Sequence, residues 1–379
     1  MQASLEVKNS TDDALGSPIL GSYEAYNCQL NATDPADLFR RYEQAGFLYP
    51  EKHERLIPYF PEVLENWRRA LRAGELILWV LTHKDPDSGA WASVSSWRST
   101  STGWHTQHVV SMGVPTGSRA VLLAAQAVRI HDGFDSSHQG WFTATKRFPQ
   151  RMFGSIERSL GTAHASVHMH HYLAVPISAC REEAAEVRTV PCRQGRTQDL
   201  VEIALSARDA VYVASEQLLE DDLELHAVDD LYRRVGLRRT RRVWLAYLGS
   251  SDRPVGAVLV YRGPLGFNLS FLENRCDLLI RPTLSETEVA LVTRSLMYAA
   301  ASAYPDFRPG FIPVVADDRA AFTLQQAGAQ YLRSYGQSIW LRPGYVAMYR
   351  HMEHFYKRIE KVRPRRGLGI TRLVTTEAH

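Results

Sequence analysis

What this chain lacks narrows it before any motif is read. No apolar run reaches the length needed to cross a membrane as a helix, so no membrane partner is expected. Cysteine is scarce: Cys28, Cys180, Cys192 and Cys276 are the only four in 379 residues, and they are scattered without metal-ligand spacing. They fit a reducing cytoplasm, with a Cys180–Cys192 bridge as the alternative. A strong excess of charge of one sign is missing too, since a net charge of +3 is too small to argue for nucleic acid by itself. There is no Gly-x-Ser-x-Gly elbow, which leaves an acyl-enzyme route without support. Residues 1–35 are polar, lack a signal-peptide pattern, and read as a flexible arm or clasp. What remains is an ordinary globular composition, 45% hydrophobic and 22% charged, long enough for two domains.

The stretch QHVVSMGVPTGSRAVLLAAQAVRIH, 107–131, organises the first half. Val109, Val110, Met112 and Val114 form a short apolar run, which predicts a buried strand. Pro115, Thr116, Gly117 and Ser118 break it, and Val121, Leu122, Ala124, Ala125 and Val128 then recur at helical spacing. Free amides and the positive dipole end at the start of such a helix can hold a phosphate or pyrophosphate. Ser118 and Arg119 add a hydroxyl and a positive charge there. The alternative is an ordinary strand–helix turn capped by Thr116 or Ser118.

Around this stretch the patterns predict helices over 36–43 and 52–73, strands over 76–81, 92–98, 106–114 and 140–145, a helix over 149–160 ending at Gly161, and a strand over 166–175. Residues 180–198 read as a linker. The second half predicts helices over 199–219 and 229–235, and strands over 243–248, 255–262, 268–272 and 277–281. A helix follows over 285–303, where Ser285 and Glu288 have capping-box spacing. Then come a strand over 311–316, a helix over 318–327 ending at Gly328, a strand over 338–341, and a last helix over 345–362 before a basic tail.

Both halves thus share one element order. That order resembles the GNAT (general N-acetyltransferase) superfamily, most closely in VVADDRAAFTLQQAGAQYLRSYGQSIWLR and more loosely in ATKRFPQRMFGSIERSLGTAHASVHMHHYLAVP. The resemblance covers roughly 36–177 and 199–342. It implies an α/β (α+β) chain of two tandem GNAT-like domains, each a mixed, mostly antiparallel sheet flanked by helices. The boundaries read 1–35 for the arm, 36–180 for the first domain, 181–198 for the linker, 199–345 for the second domain, and 346–379 for a C-terminal helix and basic tail. The resemblance also implies acetyl-coenzyme A or another acyl-coenzyme A as cosubstrate, with no metal. The family's pyrophosphate loop, Gln/Arg-x-x-Gly-x-Gly/Ala, is matched in part by GVPTGSRA and has no glycine counterpart in IRPTLSETEVA. Cofactor contacts are therefore expected in the first half, from Met112, Val114, Gly117, Ser118, Arg119 and Ala120. The family's usual Tyr acid is replaced by Glu157 and Leu324 at the matching positions.

Acyl transfer to an amine needs a polarised thioester carbonyl, a deprotonated amine and a reprotonated thiolate. His105 and His108, at the start of the central strand, are candidate bases, and Glu157 is a candidate acid or base. His168 and His170 share a strand face and, with Trp104, are candidates for substrate binding. No Cys or carboxylate completes a metal set around them. Arg233, Arg234, Arg238, Arg239, Arg241 and Arg242, with Arg363, Arg365 and Arg366, could contact RNA or an acidic carrier protein, although such a run is more usually a solvated helix end and loop. The expected activity is acyl-coenzyme A-dependent N-acylation of a small amine by direct transfer in a ternary complex. A non-catalytic ligand-binding or regulatory protein on a degenerate tandem fold is one alternative, and a tRNA-dependent aminoacyltransferase is the other. The sequence leaves the acceptor, the acyl chain length and the oligomeric state open.

Overall fold

The structure, a computed structural model, describes residues 23–361 except 86, 88, 114–115, 133–135 and 194. The first half runs β1 (Cys28–Leu30), α1 (Pro35–Gln44), α2 (Pro50–Leu56), α3 (Phe60–Arg72), β2 (Leu78–Lys84), β3 (Trp91–Arg98), β4 (Gly103–Met112), α4 (Thr116–Asp132), β5 (Ser137–Thr143), α5 (Arg147–Phe153), α6 (Ile156–Leu160) and β6 (Ala165–Pro176). The second runs β7 (Val187–Pro191), α7 (Thr197–Ala207), α8 (Ala210–Ser215), α9 (His226–Arg233), β8 (Thr240–Leu248), β9 (Gly256–Arg262), β10 (Cys276–Ile280), α10 (Glu286–Ala301), β11 (Phe311–Ala316), α11 (Asp318–Gln326), β12 (Gln330–Leu341) and α12 (Tyr345–Lys361). This is a mixed, mostly antiparallel α/β fold whose two halves share one element order. Among the described residues no helix is long and apolar enough to cross a membrane.

Several elements differ from the sequence patterns for local reasons. The predicted 52–73 helix is broken by Pro58 into α2 and α3, with a short 3-10 turn between them. The helix expected over 199–219 is interrupted at 208–209, where the Asp209 carboxylate caps α8 by accepting the Tyr212 N–H at 2.8 Å. The supposed linker contains β7, which pairs with β8 as an edge strand. Residues 268–272, expected as a strand, form a tight loop: the Asn268 side-chain oxygen accepts the Ser270 and Leu272 N–H groups, and Phe271 takes a φ of +58°. The capping box at Ser285 and Glu288 is present as expected. Cys28, Cys180, Cys192 and Cys276 are all free thiols.

All twelve strands join one sheet in the order β1-β2-β3-β4-β5-β12-β6-β11-β10-β9-β8-β7. The last strand of each half is exchanged. β12 closes the chain but lies between β5 and β6, while β6 pairs with β11 on its other side. Side-chain alternation along these strands puts α4, α5, α6 and α12 on one face, through Trp104, Ala165 and Trp340. It puts α1 and α3 on the other, through Trp67 and Trp97, with α8 beside them. The four central strands therefore carry both halves on a shared floor.

Candidate functional site

β4 and β5 run parallel and paired only from Gly103–His105 to Ser137–Gln139, and then part. In the second half, β10 and β11 pair only at Cys276–Val314 and Asp277–Val315. Each half thus opens a wedge between two parallel strands. In the first, β4 carries one extra residue: Ser95 opposes Gln107, whereas Ser93 opposes Val110. At this bulge His108 takes a φ of +55°, a left-handed conformation that His tolerates better than most residues. Beyond His105, the edge of β4 facing β5 has no strand partner.

His108 is 5% exposed, and neither ring nitrogen has a hydrogen-bond partner among the described residues. Its ring lies 5.7 Å from Trp67, nearly stacked, and is also walled by Trp97 at 5.5 Å, Phe47 at 5.7 Å and Tyr42 at 5.9 Å. Burial, reinforced by the Lys52 charge, holds the imidazole well below its ordinary pKa. Burial thus holds it neutral, with a lone pair unshared among the described residues.

His105 is placed differently. It lies where β4 and β5 are still paired, and its Nδ1 meets Glu273 Oε1 at 2.5 Å. The other Glu273 oxygen accepts from Arg239, and all three side chains are about 1% exposed. Next to them Glu216 accepts from Gln139 and Tyr261 at 2.8 Å and faces Arg275 and Arg241 at 3.4 and 3.6 Å. Arg275 is in turn bonded to Asp277 at 2.8 Å. Burial alone would push the Glu273 and Glu216 carboxyls up, but the cations around them hold both below the usual carboxylate range. Arg239, Arg241 and Arg275 balance Glu216, Glu273 and Asp277 in a sealed seam between the halves. His105 belongs to this seam rather than to the wedge.

The other candidates are dispersed. Glu157, on α6, accepts the Val167 N–H at 2.6 Å and so ties α6 to β6 on the α4 face of the sheet. Trp104 is buried between Arg98, at 4.7 Å, and Arg129, at 4.1 Å. His168 pairs with Asp209 at 3.2 Å, and His170 meets Gln337 at 3.2 Å and Arg208 at 3.4 Å. These two histidines share a face, as expected, but the chain's own groups already engage them. Met112 ends β4, half-buried. Val114 lies outside the described residues.

At the start of α4, a Cβ on Gly117 would lie 2.9 Å from the Ala92 Cβ, so this glycine serves close helix–sheet packing. The buried Ser118 hydroxyl accepts from Tyr356 of α12 at 3.0 Å. Arg119 and Ala120 are half-buried on the next turn. α12 fills the space between α4 and α5–α6 with Met348, Met352, Phe355 and Tyr356, and Phe148 of α5 touches the last two. The first turn of α4 carries no acid, which suits an anionic pyrophosphate, although Tyr356 engages the Ser118 hydroxyl there. The equivalent start of α10 does not fit one. Glu286 and Glu288 occupy its first turn, and Arg319 of α11 bonds Glu286 at 2.7 Å and the Leu284 carbonyl at 2.5 Å.

Sequence reasoning missed the buried seam. Its signal was the charge density of ENRCD, 273–277, beside an apolar strand, together with the i, i+2 spacing of Arg239 and Arg241. In the basic run, Arg239 and Arg241 point inward while Arg238 and Arg242 are exposed. Arg233 and Arg238 pair with Asp229, both at 2.9 Å. The run is therefore not one solvated patch. Arg363, Arg365 and Arg366 lie outside the described residues.

No protein-family profile matches the chain, and no curated protein matches it. Among solved structures it is similar to a Drosophila protein at 10% identity over 84% of this chain and 99% of that one, with a TM-score of 0.42. It is similar to a tandem GNAT protein from the clavulanic acid biosynthesis pathway at 11% identity, over 74% and 88%, with a TM-score of 0.38. A GCN5-related N-acetyltransferase from Sphaerobacter thermophilus is similar at 13% identity, over 73% and 85%, also with a TM-score of 0.38. Likenesses at this level carry no functional argument, which must rest on the geometry above.

Proposed function

We propose that this chain is a cytoplasmic acyl-coenzyme A-dependent N-acyltransferase that acts on a small amine by direct transfer in a ternary complex, through its first half. One observation carries this: where β4 leaves β5, the bulge holds a neutral imidazole with no partner beside an unpaired strand edge. A thioester carbonyl laid along that edge can accept a backbone N–H. The amine nitrogen attacks the carbonyl carbon and gives its proton to His108. The C–S bond then breaks, and the proton passes to the departing thiolate. Coenzyme A supplies the activated acyl group, with its pyrophosphate at the start of α4 near Ser118 and Arg119.

The test is a thermal shift and calorimetric titration with acetyl-coenzyme A, followed by thiol release with a panel of amines, on the wild type, Arg119→Glu and Tyr356→Ala. Binding should weaken in Arg119→Glu and strengthen in Tyr356→Ala. No stabilisation of either the wild type or Tyr356→Ala at about 1 mM ligand overturns the proposal. A second reading, a non-catalytic ligand-binding protein, is favoured by the seal that Phe355 and Tyr356 make over the start of α4. Binding without thiol release from any amine would support it.

A further inference from the structure

A cleft of about 230 Å³ lies between α2, the loop 263–275 and the first residues of β12. Three cations converge on it: Lys52 and Arg55 from α2, and Arg333 from β12. Among the described residues the only carboxylate in its lining is Glu51, which is exposed. Among the described residues, Lys52, Arg55 and Arg333 form no ion pair. Arginines close by are paired, Arg308 with Glu62 at 2.6 Å and Arg262 with Asp306 at 3.1 Å.

Two of the cations are set in place by aromatic rings instead. The Arg333 guanidinium carbon is 4.6 Å from the Tyr49 ring centroid and 5.9 Å from that of Tyr335. The Lys52 ammonium is 4.2 Å from the centre of Phe47 and 5.8 Å from that of Tyr49. The hydroxyls of Tyr172 and Tyr335 are committed to Ser270, at 2.5 and 2.9 Å, so these rings act as walls. Like charges gathered in a partly enclosed cleft repel one another, and an anion placed between them relieves the repulsion. Burial first, and the Arg333 charge second, push the Lys52 ammonium pKa down to about 7.

In the second half, charged and titratable groups near β6 are engaged by one another. β6 stands against β11 as β12 stands against β5. There His168 has Asp209 at 3.2 Å, and Arg208 packs against His170 at 3.4 Å. In the second half Asp209 sits against His168, whereas in the first the lining carboxylate, Glu51, is exposed and makes no ion pair with the three cations among the described residues.

We propose that this cleft binds a small molecule bearing an oxyanion, a phosphate ester or a carboxylate, with its apolar part against Phe271 and Tyr172. The inference stands without the acyltransferase reading, since an anion would be held whether or not coenzyme A binds. The two sites are neighbours nonetheless: Phe47 touches both the Lys52 ammonium and the His108 ring, at 4.2 and 5.7 Å. The test is calorimetric titration of the full chain at constant ionic strength with two probes, inorganic phosphate and succinate, on the wild type, Arg55→Gln and Arg333→Gln. Arg253→Gln, a distant surface arginine, is the control. The expected result is saturable binding of at least one probe, weakened roughly tenfold or more in Arg55→Gln and Arg333→Gln and unchanged in Arg253→Gln. Phosphate alone saturating identifies a phosphate ester, and succinate alone a carboxylate. No saturable binding of either probe by about 10 mM overturns the proposal, as does binding that survives both substitutions in a double variant.

Discussion

At the residue scale, two buried histidines on neighbouring turns of one strand have opposite fates. His105 finds Glu273 and becomes part of an ion-paired seam, while His108, lifted by the bulge, finds only aromatic faces. His108→Asn should fold, since Asn also tolerates a positive φ, but its amide cannot take a proton. A fall in kcat of roughly 10²–10⁴-fold with unchanged acetyl-coenzyme A affinity is expected from steady-state kinetics and calorimetry. Glu273→Gln leaves Arg239 buried and incompletely neutralised, and should cost about 3–5 kcal/mol in urea unfolding. Stability also depends on pH. The native His108 and His170 imidazoles sit well below the unfolded value of about 6.5, so the unfolded chain takes up protons first as pH falls. Their contribution is complete above about pH 6.5 and is lost progressively below it. The depressed Glu273 and Glu216 carboxyls contribute fully above about pH 4.3 and lose stability below it. Urea midpoints should therefore fall from about pH 7.5 to about pH 5, and His108→Asn should flatten part of that slope. A midpoint constant over this range would contradict the buried neutral imidazoles.

At the element scale, the two helix starts that face the wedges are closed by different devices. α10 is capped from within by Ser285 and Glu288. Ser285→Ala should cost about 1 kcal/mol, read as a lowered melting temperature with no change in ligand binding. α4 is closed from outside, by the end of α12. The loop 263–275 ties the halves together on the other face, where the Trp67 indole N–H donates to the Gly266 carbonyl at 2.9 Å. Gly266 has a φ of +82°, and a Cβ there would sit 2.4 Å from the Val63 methyls. Gly266→Ala should therefore destabilise by about 2–4 kcal/mol in chemical denaturation, through strain and overpacking together.

At the scale of the whole molecule, strand exchange makes each half depend on the other. Without the second half, β5 and β6 are no longer bridged by β12, and β6 also loses β11. A fragment ending at residue 180 would leave long strand edges exposed and would leave His105 without Glu273. Expressed alone, it should be insoluble or lack a cooperative thermal transition, whereas the full chain should unfold in one transition by circular dichroism and calorimetry. A soluble, cooperatively folding fragment would show that the exchange is not essential.

Much of the element order was legible in sequence because it is local. Apolar spacing marks α4 and α10, Ser285 and Glu288 announce a helix start, and Gly161 and Gly328, at φ values of +83° and +92°, end the α6 and α11 segments. Breaks within predicted helices at Pro58 and Asp209 follow from equally local chemistry. The candidate site was legible only in part. The bulge that separates His108 from His105 is a register shift against β3, and register is a property of two strands. The pairing of His105, Arg239 and Glu273 spans 168 residues, and nothing in a linear pattern reports it. Arg239 and Arg241 read as surface charge until their partners arrive from another segment. Lys52, Arg55 and Arg333 join only because β12 enters the sheet beside β6, setting Arg333 opposite Tyr172. The sequence by itself determined which segments become helices and strands, through short-range sterics and hydrophobic spacing. Only the tertiary structure decided which charges are paired, which stand open to a ligand, and which histidine keeps a free lone pair, because burial and Coulomb contact depend on distances in space.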